Sequence, residues 1–157
     1  MVYVQHLCSE RDDVSVQTAS IAAKRAAEII DEFSFFDDWA DRYQHLIDQG
    51  RHLAPLPEAY RTDDHKLSGC QSTVYFAAEA EDGGAIRYFA ESDAAIVQGL
   101  AALMLRVYSG LTPDEVLATQ PDFLAEIGLD KHLSPTRKNG LASMVSAIQA
   151  AARQMQG

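Results

Sequence analysis

Cysteine is almost missing from this chain: Cys8 and Cys70 are the two it has in 157 residues. Two thiols so far apart give no disulfide framework, and a bridge between them would be unusual in a reducing compartment. Zinc asks for three or four Cys and His ligands in recognisable spacing. No such set occurs, and His6 with Cys8 offers only two ligands, so neither a metal nor a cofactor is expected. Basic residues are scarce as well. Lys and Arg number 13 against 23 Asp and Glu, a formal net charge of −10. That balance argues against nucleic acid, whose phosphates demand cations. It favours solubility and a partner with a basic docking surface. Long apolar runs are also lacking: the longest, Gly99 to Leu105, is far short of the ~20 residues that span a bilayer. No membrane partner is expected. Met1 to Cys8 carries neither the basic start nor the long apolar region of a signal peptide, so the expected location is cytoplasmic.

What is present suits one globular domain. Hydrophobic residues make up 47% and charged residues 23% of the chain. A domain of about 150 residues buries roughly 68–70% of its unfolded surface and needs no metal or disulfide to hold it. Residues 1–17 read as an irregular N-terminal extension and 18–157 as a single domain. A first helix is expected from about Ala19 to Asp31, with Ala22, Ala26, Ile29, Ile30 and Phe33 on one stripe. A second begins near Asp37, presents Trp39, Tyr43, Leu46 and Ile47 on one face, and ends at Gly50. Pro55 and Pro57 then mark a mobile-looking loop to about Lys66.

Two strands follow, Thr73 to Ala80 and Ala85 to Ala90, joined through the turn residues Glu81-Asp82-Gly83-Gly84. Ser92 is placed as the N-cap of a helix over Asp93 to Tyr108 that is apolar nearly all round and therefore central to the core. Thr112-Pro113-Asp114-Glu115 spells a capping box. Short helical pieces lead to a last helix after Ser134-Pro135, with Leu141, Met144, Val145 and Ile148 inward. The fold class is α+β, a small antiparallel sheet packed against several helices.

Cys70 is the candidate for chemistry. It sits in Lys66-Leu67-Ser68-Gly69-Cys70-Gln71-Ser72-Thr73, where turn-forming residues give way to an apolar strand. That context displays a thiol on an exposed bend with a rigid element behind it. The thiolate is the nucleophile, and an unperturbed Cys of pKa about 8.5 is only a few per cent thiolate at neutral pH. Gly69 permits a positive φ and removes a side chain beside the sulfur. A half-buried structural Cys at a strand start is the competing reading. Arg137 is the second candidate. With Ser134 as N-cap it falls at the third helical position, where a cation opposes the helix dipole. Such a local conflict is tolerated when the charge has other work, here facing an anion; a solvated surface Arg is the alternative. Asp93 reads first as a helix-start residue. His65 and His132 are the imidazoles that sequence brings nearest to Cys70 and Arg137. A Cys-dependent hydrolase or transferase using Cys70 with one of them therefore stays open, although no substrate-pocket or oxyanion-hole signature accompanies it.

Read together, these residues resemble the SufE family of sulfur-accepting proteins in iron–sulfur cluster assembly. The likeness runs through Trp39-Ala40-Asp41-Arg42-Tyr43-Gln44-His45-Leu46-Ile47 and Ser68-Gly69-Cys70-Gln71-Ser72. It continues in Glu91-Ser92-Asp93-Ala94-Ala95-Ile96-Val97-Gln98-Gly99-Leu100 and His132-Leu133-Ser134-Pro135-Thr136-Arg137-Lys138-Asn139-Gly140-Leu141, with Met144. It implies a fold like that of the IscU scaffold and a persulfide carrier in which Cys70 takes sulfur from a pyridoxal-phosphate-dependent cysteine desulfurase, SufS-like or CsdA-like, and stimulates it. The sulfur would pass to a downstream cluster scaffold or other acceptor, so the chain would not be a stand-alone enzyme. Gly69, Gln71 and Ser72 belong to the family's loop motif, and Asp93 and Arg137 match residues near it and near the desulfurase-facing surface. Two features depart from the pattern: Tyr75, where many relatives carry Trp, and the extension with Cys8.

Overall fold

The computed structural model describes residues 21–156. The extension expected over residues 1–17, with Cys8, lies outside the described residues. Helix α1 covers 21–34 and buries Ala22, Ile29 and Phe33. It runs past the expected end at Asp31 because Phe33 belongs to its buried stripe. Helix α2, Trp39–Arg51, is capped by Asp38, whose Oδ1 accepts from Ala40 N (2.7 Å) and Asp41 N (3.3 Å). Gly50 does not stop α2 as expected. It is buried inside the helix, where a Cβ would stand 2.8 Å from the backbone N of Gly99. The residue is glycine because two helices cross there, not because the chain turns.

Strands β1 (Val74–Ala80) and β2 (Ile86–Ser92) form an antiparallel hairpin, with Val74 opposite Ser92 and Ala80 opposite Ile86. The period of two sorts its faces. Val74, Ile86, Tyr88 and Ala90 join the main core, while Ala77 and Phe89 form a small cluster with Leu56 on the other side. The loop after α2 covers that second face and is fastened rather than loose. Arg61 forks onto Glu91 through Nε (2.9 Å) and Nη2 (3.0 Å), and the Tyr60 hydroxyl donates to Glu79. The guanidinium beside Glu91 holds its carboxyl below the usual range.

Helix α3, Ala95–Tyr108, occupies the centre, with every residue from Gly99 to Met104 buried. It packs on α2, on β2 and on α7. Ser92 is the last residue of β2, not the N-cap of α3: its Oγ accepts from Ala94 N (3.2 Å), and Gln98 Oε1 accepts from Ser92 N (2.7 Å). The capping box of α4 (Pro113–Ala118) is complete, with Glu115 N to Thr112 Oγ1 at 3.3 Å and Thr112 N to Glu115 Oε1 at 3.0 Å. Two single-turn helices, α5 (Phe123–Glu126) and α6 (Leu129–His132), lead into α7, Pro135–Met155. Met144, Ile148 and Ala152 turn α7 into the core, and the helix lies against α3, α4 and β1. Among the described residues no helix is long and apolar enough to cross a membrane. The architecture is α+β.

Candidate functional site

The hairpin fixes the Cys70 loop at its base. Leu67 N donates to Val74 O at 2.9 Å, closing residues 68–73 into an arch at the mouth of β1. Gly69 turns the arch with φ +84°, a conformation that any side chain would strain. Asp93 holds the far end. Its Oδ1 accepts from Thr73 N at 3.1 Å, and its own N–H donates to Thr73 O at 3.4 Å. Asp93 thus lies before α3, outside its first turn, and supports the loop rather than complementing the helix dipole. Gln71 is exposed and Ser72 half-buried.

The arch rests on the first turns of α7. Ser143 Oγ donates to Ser68 O at 3.2 Å. One turn earlier, Gly140 is buried, and a Cβ built there would stand 3.7 Å from Cys70 Sγ. The missing side chain at Gly140 thus leaves room for the sulfur against α7. Cys70 is a free thiol, half-buried and packed against the edge of the main core. This corrects the expectation of a thiol displayed on an exposed bend: Ser68, Gly69 and Gln71 are exposed, but the sulfur between them leans inward.

Arg137 stands one turn before Gly140 on the same flank of α7, by the spacing of three. Ser134 caps this helix as expected, its Oγ accepting from Arg137 N at 3.3 Å. The Arg137 side chain is exposed, and among the described residues no ion pair or side-chain hydrogen bond engages it. Among the described residues this is an unengaged cation in the first turn of a helix, one turn before the glycine that seats a thiol, an arrangement suited to an incoming anion.

Neither histidine joins Cys70. His65 Nδ1 pairs with Thr62 Oγ1 at 2.9 Å, and its ring packs on Tyr60. His132 stacks on Trp39 with centroids 3.8 Å apart, and its carbonyl accepts from the Tyr43 hydroxyl. That stack is structural: it ties α2 to α6 and so to the start of α7. No hydrogen bond among the described residues pairs Cys70 with a histidine, as a stand-alone hydrolase would require. Among the described residues, no three His, Cys, Asp or Glu side chains gather to hold a metal ion. Of the residues expected from sequence, the structure brings Gly69, Cys70 and Asp93 together around one loop and sets Arg137 one turn before Gly140; sequence reasoning does not name Ser143 and gives Gly140 no role. Their contacts join residues about 70 or more apart in the chain, Ser143 reaching a carbonyl 75 residues away, and local sequence carries no sign of them.

Comparison with known proteins shows the family and the fold. Residues 27–152 match the family model SufE, described as an Fe-S metabolism associated domain. An uncharacterized SufE-like protein of Rhizobium meliloti is 41% identical over 130 residues, covering 80% of this chain and 92% of that protein. One from Rhizobium etli is 39% identical over 130 residues, covering 80% and 88%. The solution structure of a hypothetical protein from Thermus thermophilus superposes with a TM-score of 0.70 at 24% identity, covering 84% of this chain and 96% of that one. At that identity the likeness concerns the fold alone.

Proposed function

Because the chain belongs to the SufE family, with a domain associated with Fe–S metabolism, we propose that Cys70 accepts sulfane sulfur from a cysteine desulfurase and carries it onward. The observation that supports this reading most is the thiol arch itself. Cys70 Sγ sits half-buried over Gly140, in a loop turned by Gly69, with the unengaged Arg137 one helical turn away.

The chemistry is thiol–persulfide exchange. The Cys70 thiolate attacks the outer sulfur of the persulfide on the desulfurase, a new S–S bond forms on Cys70, and the desulfurase cysteine leaves as its thiolate. No electron is gained or lost overall. The rate depends on thiolate fraction, intrinsic nucleophilicity and access. Arg137 faces the anion as it arrives, through a charge-assisted contact that Lys or Arg supplies and a neutral side chain does not. Asp93 and Gly69 set the shape of the arch. The desulfurase contributes its own pyridoxal phosphate, so this chain acts as its acceptor and activator.

The test is turnover of a pyridoxal-phosphate-dependent cysteine desulfurase from the same host without added reductant. Adding this protein should raise alanine production from cysteine, Cys70→Ser should abolish the increase, and Cys8→Ser should leave it. Unchanged turnover with every desulfurase of the host would overturn the reading.

A further inference from the structure

We propose that Ser143 is a positioning residue that latches the Cys70 loop onto α7, so that its single hydroxyl sets how often the thiol is presented. The proposal rests on reading Cys70 as the reacting thiol and adds to it the group that holds this thiol in reserve.

Three observations lead there. First, Ser143 lies well inside α7, a 21-residue helix, where serine is a poorer helix former than alanine. A serine in that position commonly turns its hydroxyl back to the carbonyl four residues earlier. Here the hydroxyl reaches instead to Ser68 O at 3.2 Å, 75 residues away in sequence. Among the described residues this is the hydrogen bond that ties the loop to α7. Second, the same Oγ occupies the space beside Gly69: a Cβ built on Gly69 would stand 3.3 Å from it. The hydroxyl thus lies against both residues that precede Cys70, and a side chain on the second would crowd it by a few tenths of an ångström. Third, Gly140 lies three residues before Ser143, so one face of α7 receives both the sulfur and the latch.

Transfer requires motion at this seat. An S–S bond is about 2.05 Å long, and Cys70 Sγ faces Gly140 and the edge of the core. For another protein's persulfide to approach to that distance, the arch must lift from α7. The other ties do not oppose lifting in the same way. Leu67 to Val74 and Thr73 to Asp93 hold the two feet of the arch to the hairpin and to the start of α3. Ser143 alone of these three holds the span to α7. Breaking it frees the loop to swing on feet that stay fixed, a local opening of low free energy rather than unfolding.

The experiment is alkylation of Cys70 by iodoacetamide, followed by peptide mass mapping so that Cys8 is read separately, in the full chain and in Ser143→Ala. Each protein's urea unfolding midpoint is measured alongside. The expected result is alkylation about two- to tenfold faster in Ser143→Ala, the span expected for losing one neutral hydrogen bond. The unfolding midpoint should fall by no more than that same loss accounts for, because the hydrogen bond also stabilises the folded chain while alanine favours the helix. Alkylation less than twofold faster would overturn the proposal. So would faster alkylation whose rate rises with urea as steeply as global unfolding does even at low urea, which would mean that Cys70 is reached through general unfolding. The assay contains no desulfurase, so its outcome is independent of whether Cys70 accepts sulfur.

Discussion

Gly99 of α3 lies directly beneath the carbonyl of Leu46 on α2: a Cβ built on Gly99 would stand 2.3 Å from that oxygen. With Gly50, one turn along the same face of α2, also meeting the Gly99 backbone, the two helices touch main chain to main chain. This crossing positions the centre of the core, and through α3 it positions the end of β2 and Asp93. Gly99→Ala would force the helices apart, and overpacking of this kind costs about 1–3 kcal/mol. A urea midpoint unchanged from wild type would show that the crossing yields more easily than its geometry implies.

How legible the fold is in the sequence depends on how far apart the interacting residues are. The capping box at Thr112, the Ser134 cap and the all-apolar α3 are local signals, and each stands where the sequence places it. Gly50 and Ser92 mislead for the opposite reason. Each carries the local mark of a boundary, but Gly50 is set by the approach of α3, and Ser92 is drawn into β2 by pairing with Val74. The thiol loop follows the same rule. Its turn and its cysteine are visible in a few consecutive residues, whereas the seat formed by Gly140 and Ser143 depends on a helix from the other end of the chain.

Acid should weaken the tie between α1 and α3 that runs through Glu32. Arg106 Nη2 donates to its Oε2 at 2.6 Å, and His45 Nε2 lies 3.1 Å from its Oε1. The hydrogen bond from Arg106 is the main reason its carboxyl titrates below the ordinary 4.5, with partial burial opposing and His45 assisting. A depressed folded pKa contributes stability that is fully present above the unfolded value. That stability is lost as pH falls through the folded one. Glu32→Gln should therefore be less stable than wild type at neutral pH, with the difference shrinking below about pH 4.5. Urea midpoints measured from neutral to acid pH check this, and parallel curves would contradict it.

Removing the Asp93 carboxylate should weaken the far foot of the arch. Asp93→Ala leaves Thr73 N without its side-chain acceptor, a loss of about 0.5–1.5 kcal/mol. Asp93→Asn keeps an oxygen in place and should lose less than half as much. Equal losses in the two variants, read from chemical denaturation, would mean that the charge rather than the hydrogen bond is what matters.

Arg137 should trade stability for function. It opposes the dipole of α7, so Arg137→Gln should stabilise by about 0.3–1 kcal/mol. The same change should slow sulfur loading from the desulfurase about two- to fivefold, the span set by an exposed charge contact. Alkylation by uncharged iodoacetamide should stay near the wild-type rate. A variant that loads sulfur as fast as wild type would remove Arg137 from the transfer step.

The central claim is that one sulfur atom comes to rest on Cys70, and intact-mass spectrometry measures it most directly. After incubation with a pyridoxal-phosphate-dependent cysteine desulfurase and cysteine, then separation without reductant, the protein should gain about 32 Da as a persulfide. Peptide mapping should place that gain on Cys70, and Cys70→Ser should show none. A wild-type mass that does not change, or a gain that survives in Cys70→Ser, would contradict the account.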